Sequence, residues 1–306
     1  MHHKNYAGPV LVVIAGPTAV GKTELCLKLA RQLNTNIISA DSRQFYREMN
    51  IGTAKPNAAE LSAVKHYFIN SHSITEEYSC GAFEADTLAL LDKLFREKQT
   101  IILTGGSGLY IQAVCEGLDE MPDIMPAVRE NLMLQLEQQG LENLLTQLQS
   151  LDPAYYEQVD RANPQRVIRA LEVCYSSGQP YSVYRAGSRK QRPFKIVKIG
   201  LTRDRAELYQ RIDQRMEEML AMGLMEEAKS LYPYRAHNAL QTVGYKEIFD
   251  FMEEKQDWPE TVRLLKRNSR RYAKRQLTWF RRDPEFKWFH PEDWEGILTC
   301  IAQNSG

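Results

Sequence analysis

Three features of this 306-residue chain predict an α/β fold, a parallel sheet flanked by helices. The continuous apolar run Val10–Ala15 reads as a strand covered on both faces. It leads into Gly16-Pro17-Thr18-Ala19-Val20-Gly21-Lys22-Thr23, a G-x-x-x-x-G-K-[ST] turn between a strand and a helix. Through the N-terminal third, strands then alternate with helices, as βαβ units do. The phosphate-loop motif makes the sheet P-loop NTPase-like.

Taken in order, a helix is predicted over about 22–33, a short strand at 36–39 and a weaker one at 66–70. Ser79 suits the N-cap of a helix to about Lys98, with Phe83, Leu88, Leu91 and Phe95 at helical spacing. A buried strand at 100–104 runs into Gly105-Gly106-Ser107-Gly108. The texture then changes. From Pro122 to about Ser177 only helical patterns occur, over 127–139, 141–149, 153–159 and 164–177, followed by a basic loop. A strand at 195–201 returns to the sheet. The expectation is a core of residues 1–120 and 195–306, interrupted by an all-helical insertion, 121–194. Asp204 with Glu207 predicts a capping box for a helix to about Met222, closed by Gly223. Asp257 and Pro259 start a long helix running to about Arg282.

Composition removes several classes. Hydrophobic content of 43% and charged content of 25% fit a folded soluble protein rather than a disordered one. The five cysteines are scattered without a Cys-x-x-Cys pair, so neither a zinc site nor a disulfide framework is expected. No apolar run spans a membrane, and a cytoplasmic protein is expected. His2 and His3 are given no role.

The chemistry starts at the phosphate loop. Its glycines let backbone N–H groups face a phosphate, Lys22 adds a point charge, and the Thr23 hydroxyl can ligate Mg²⁺. No strand ends in the Asp that would serve as a Walker-B metal ligand. The acidic residue at a strand end is Asp41, in Asp41-Ser42-Arg43-Gln44, which should face the crevice at the sheet's carboxyl edge. On position alone Asp41 serves equally as a general base or as an N-cap or outer-sphere Mg²⁺ carboxylate.

Equal counts of 39 basic and 39 acidic residues argue against a nucleic-acid partner only if the charge is evenly spread. It is not. Between Thr261 and His290 ten basic residues face only Asp283 and Glu285, a local charge of +8. Arg263, Arg267, Arg270, Lys274 and Arg281 recur at helical spacing, the stripe a phosphate backbone would meet. Trp279 and Phe280 are read as packing residues first, with base stacking as the alternative.

Several segments, in order along the chain, resemble the tRNA dimethylallyltransferases: Gly16–Thr23, Asp41–Tyr46, Gly52-Thr53-Ala54-Lys55-Pro56 and Gly105–Tyr110. Asn163-Pro164-Gln165-Arg166, Arg169–Val173, Val243-Gly244-Tyr245 and Lys274–Arg281 complete the set. The resemblance implies transfer of a dimethylallyl group from dimethylallyl diphosphate to N6 of the adenosine 3′-adjacent to the anticodon, tRNA position 37. The loop residues Gly16, Thr18, Ala19, Val20, Gly21, Lys22 and Thr23 would then hold the donor's diphosphate rather than a nucleotide. It implies Asp41 as base, with Ser107 and Arg215 at the reacting groups; Ser107 departs from the more usual Thr. It also implies tRNA contacts from Asp41, Ser42, Arg43, Gln44, Ser107, Arg129 and from Gln165, Arg166, Val167, Ile168 and Arg169. Gly244, Lys274, Arg275, Gln276, Thr278, Trp279 and Arg281 extend them, with Gln44 as a reader of the base edge. Mg²⁺, the tRNA anticodon stem-loop, a monomeric bacterial-type chain and no membrane belong to the same expectation. The alternative is a P-loop small-molecule kinase with a helical lid and Arg161, Arg166 and Arg169 as phosphate clamps. A purely RNA-binding protein ranks last.

Overall fold

A computed structural model describes residues 8–185, 187 and 189–305, so His2 and His3 lie outside the described residues. Six strands form one parallel sheet: β1 (Val10–Ala15), β2 (Ile37–Ser39), β3 (His66–Tyr67), β4 (Thr100–Gly105), β5 (Lys195–Leu201) and β6 (Lys287–Phe289). Their order is β3-β2-β4-β1-β5-β6, which puts β1 between β4 and β5. The chain leaves β1, crosses over β4 to reach β2, and later returns to β1's other side as β5. Ligands of open α/β sheets bind at such a switch point, beyond the strands' carboxyl ends.

Twelve α-helices accompany the sheet among the described residues. The first four are α1 (Lys22–Gln32), α2 (Ala58–Ala63), α3 (Cys80–Leu94) and α4 (Gly108–Glu116). Then follow α5 (Pro126–Leu151), α6 (Pro153–Tyr156), α7 (Pro164–Ser177) and α8 (Arg205–Ala221). The last are α9 (Leu224–Leu231), α10 (Tyr245–Met252), α11 (Trp258–Phe280) and α12 (Trp294–Ser305). The chain divides into two units. One comprises residues up to Cys115 and from Gln191 onward; the other is Glu116–Lys190.

In the first unit the β1 run is apolar throughout because both faces are covered. Val10, Val12 and Ile14 pack with Leu25, Leu29, Leu208 and Ile297, whereas Leu11 and Val13 pack with Phe83, Leu91, Ile111 and Phe280. A third cluster joins α8 to α11 around Met216, Leu224, Tyr245 and Leu265. In the second unit α5 and α7 close on Leu132, Leu144, Leu148, Val167, Ile168 and Leu171.

The structure departs from the sequence reading at several elements. The weak strand stops at Tyr67, because Phe68 and Asn70 take left-handed φ of 58° and 56°. The two helices expected over 127–139 and 141–149, by contrast, are both present, separated at Gly140, whose φ of 78° no helix accommodates. The capping box at Asp204 is half formed: Asp204 caps the Ala206 N–H, but the Glu207 carboxylate turns to Arg203. β6 escapes the sequence pattern altogether, being three residues long and half-buried.

Candidate active site

The phosphate loop turns through left-handed φ at Ala19 (62°) and Gly21 (112°), which brings its amides around one concavity. Each side of the loop is fastened by a different helix or loop. Arg203 Nε donates to the Val20 carbonyl (2.8 Å) and Arg211 Nε of α8 to that of Ala19 (2.9 Å). From α11, Gln276 accepts the Thr18 N–H (2.9 Å) and donates to the Gly106 carbonyl (2.9 Å). The glycines after β4 permit this approach. A Cβ at Gly106 would overlap the Gln276 amide, and one at Gly108 the Trp279 ring. Arg203 and Arg211 were not legible as loop anchors, since nothing local marks an arginine that bonds a distant carbonyl.

Lys22 Nζ donates to the carbonyls of Gly16 (2.9 Å) and Pro17 (2.8 Å). Burial pushes its pKa down to about 8, although the Asp41 carboxylate opposes the shift. Arg215 of α8 reaches the same loop, its Nη1 donating to the Thr18 hydroxyl at 3.3 Å. A half-open cavity of about 420 Å³ brings these groups together: Thr18, Ala19, Gly21, Lys22, Thr23, Asp41, Arg43, Gln44 and Arg215 all line it. The remaining wall includes apolar side chains, among them Met216, Met219 and Val243, and the segment Gly52-Thr53-Ala54. Two half-buried cations facing a polar cradle, with an apolar wall beside them, suit an anion carrying a hydrocarbon tail. Thr23 lies at the cavity surface beside Lys22, where a hydroxyl can ligate a divalent cation shared with a phosphate.

Asp41 follows β2, and its Oδ1 accepts the Arg43 N–H at 3.0 Å. Ser107 Oγ accepts the Ser42 N–H at 2.9 Å, tying the β4 glycine turn to the Asp41 loop. Tyr272, missed in the sequence, also lines the cavity. Where a Walker-B carboxylate would end β4 stands Thr104, whose hydroxyl donates to the Ile14 carbonyl.

Other expected contact residues are placed differently. Gln44 is not a free edge reader: its amide accepts from Ser39 Oγ (3.0 Å) and donates to the carbonyls of Thr53 and Ala54 (3.2 and 3.3 Å). Gln276 is buried by its two loop bonds. Gly244 is buried and starts α10, where its N–H is bonded to Glu247. Trp279 is half-buried against Gly108, whereas Thr278 is exposed. In the second unit Val167 and Ile168 are core side chains with no exposed surface, because helical spacing turns them inward. Arg166 and Gln165 are exposed. Arg129 and Arg169 converge on Glu172, a fully buried carboxylate that the sequence reading passed over, at 2.5 and 3.4 Å. Arg161 is held by Glu157 (3.2 Å) and stacks on Tyr156.

The charge stripe of α11 is also narrower than its spacing suggested. Arg263 pairs with Glu260, Lys266 with Glu217 and Arg270 with Asp213, each at 2.5 Å. Arg271, Lys274, Arg275, Arg281 and Arg282 are exposed, with no ion pair among the described residues. The available positive surface is therefore the C-terminal half of the helix and the turn after it.

Fold and site together define a phosphate-loop α/β protein whose cradle opens on a carboxylate and an apolar wall. The IPP transferase family model matches residues 44–283, and the chain belongs to that family. It is 48% identical over 293 residues to tRNA dimethylallyltransferase 2 of Parabacteroides distasonis, covering 96% of this chain and 98% of that protein. The corresponding protein of Porphyromonas gingivalis is 51% identical over 293 residues, with 95% and 98% covered. Among solved structures, the full-length tRNA isopentenylpyrophosphate transferase of Bacillus halodurans superposes with a TM-score of 0.72 at 36% identity, covering 96% of each chain. A eukaryotic dimethylallyltransferase acting on tRNA gives 0.77 at 25% identity, covering 97% of this chain and 77% of that one.

Proposed function

We propose that this prenyl-transferring enzyme moves a dimethylallyl group from dimethylallyl diphosphate to N6 of the adenosine 3′-adjacent to the anticodon of tRNA. The observation that carries the reading is the single cavity shared by Asp41, the phosphate loop and the apolar wall. The adenine amine attacks the allylic carbon, the new N–C bond forms as the C–O bond breaks, and the diphosphate leaves with the electron pair. Asp41 takes the proton that the amine loses. Lys22, Arg215 and the loop amides meet the charge that grows on the departing oxygen. Thr23 is the residue to hold Mg²⁺, which when bound would neutralise part of the diphosphate charge.

A base in an anticodon loop must leave its stack to enter a pocket. Arg43 and Ser107 stand beside Asp41 on this reading. Arg129, Gln165, Arg166 and Arg169, with Lys274, Arg275 and Arg281 of the basic surface, meet tRNA phosphates. A kinase reading lacks the carboxylate expected at the end of β4, where Thr104 stands. No helix among the described residues is long and apolar enough to cross a membrane. A cytoplasmic monomer is the form proposed.

The test is direct. Purified protein, Mg²⁺, dimethylallyl diphosphate and unmodified tRNA should give prenylated adenosine by mass spectrometry, and tRNA with guanosine at the target position should give none. Unaltered tRNA with intact donor would overturn the reading.

A further inference from the structure

The segment Asn50–Lys55 belongs to no helix or strand, yet its Gly52, Thr53 and Ala54 form part of the cavity wall. What holds it is a carboxylate on another element. Glu227 of α9 accepts the backbone N–H groups of Asn50 (2.9 Å), Ile51 (2.8 Å) and Gly52 (2.9 Å). The hydroxyl of buried Tyr245, at the start of α10, donates to the same carboxylate at 2.6 Å. Three consecutive amides converging on one anion make a nest, and charge-assisted bonds of this kind are roughly twice as strong as neutral ones.

The segment does not take its conformation from local preference. Ala54 sits at φ 47°, a left-handed value unfavourable for a residue with a Cβ. Gly52 lies so close to the Tyr245 ring that no Cβ would fit. Strained backbone of this kind persists beside a cavity only where its surroundings over-determine it. Lys55, bonded to Asn50 and Asn70, secures the far end. Glu227 secures the near end, and does so without lining the cavity itself.

Building on the prenyl-transfer reading, we propose that Glu227 is a positioning residue for the donor. It fixes the Gly52–Ala54 wall and thereby sets how tightly the cavity holds an allylic diphosphate and how long a prenyl chain it admits.

Steady-state kinetics on Glu227→Ala and Glu227→Gln, with dimethylallyl and geranyl diphosphate as donors, test this. Glu227→Ala should raise the KM for dimethylallyl diphosphate about tenfold and narrow its preference over geranyl diphosphate about as much, with the KM for tRNA held within about twofold. Glu227→Gln, which keeps the shape and one acceptor, should recover part of the loss. Amide hydrogen exchange at Asn50, Ile51 and Gly52 should quicken in Glu227→Ala. If that variant does not fold, Tyr245→Phe should shift donor KM in the same direction by less. Quicker exchange with donor KM and selectivity unchanged would overturn the proposal, since Glu227 would then be structural only. If the wild type prenylates no tRNA, the prenyl-transfer reading is what fails. Pyrophosphate affinity then decides about Glu227, and an equal value in wild type and Glu227→Ala overturns it.

Discussion

At Asp41 the chemistry and the local structure are separable. The carboxylate lines the cavity and also accepts the Arg43 N–H. Asn keeps an acceptor for that bond but has no basicity. Asp41→Asn should therefore lower single-turnover prenylation by about 10²- to 10⁴-fold, the usual worth of a general base, while tRNA affinity in a filter-binding assay stays unchanged. Loss of tRNA binding to the same degree would make Asp41 a structural residue. Lys22 gives a pH signature. Its pKa is lowered by burial to about 8, so the ammonium is present below that pH and lost above it. A diphosphate binds the protonated form. Donor kcat/KM should accordingly fall as pH rises through about 8, approaching tenfold per pH unit for loss of a single proton. Lys22→Met should be weak at every pH and lack that limb.

Among the elements, α11 does two jobs with two faces. Leu265, Ser269, Ala273, Gln276 and Phe280 are buried, while Arg271, Lys274 and Arg275 stay in solvent. On the proposed function, Lys274→Ala with Arg275→Ala should raise the KM for tRNA and flatten its dependence on salt by about 0.7–0.9 log units per lost phosphate contact. Arg263→Ala should leave that slope unchanged, because Glu260 already neutralises Arg263. Equal slopes for both variants would place the RNA elsewhere. The same helix marks the limit of sequence reading. Its boundaries and its cap at Asp257 follow from local chemistry, as do the β1–loop–α1 unit and the span of α7. Asp213 and Glu217, which pair with Arg270 and Lys266, sit on α8, and no spacing within α11 reveals them. Val167 and Ile168 teach a related point: a motif places a residue in a site but does not say which way its side chain points. The short β6 and the buried role of Gln276 exist only through tertiary packing, so they too were invisible.

For the whole molecule, a neutral total conceals both charge and division of labour. The phosphate loop, Asp41 and the cavity lie wholly within the first unit, which has its own apolar clusters. The second unit has a separate core, and it presents Arg129, Gln165, Arg166 and Arg169. Its two ends meet: the Lys190 N–H donates to the Glu116 carbonyl at 2.7 Å. Just outside, Arg192 donates to the Val114 and Ala113 carbonyls and pairs with Glu84, fastening the returning chain to α4 and α3. A short Gly/Ser link can therefore replace residues 117–189 without stretching the remaining chain. Such a protein should unfold cooperatively and still be stabilised by pyrophosphate with Mg²⁺, by about 2.7 kcal/mol at a hundredfold excess over Kd, because it keeps every group of the cradle. Its tRNA affinity should fall by at least tenfold, since the arginines proposed to grip the RNA are gone, and prenylation should fall with it. Thermal shifts read the first property and filter binding the second. Retained pyrophosphate stabilisation with undiminished tRNA affinity would remove the second unit from RNA recognition and leave that work to the C-terminal half of α11.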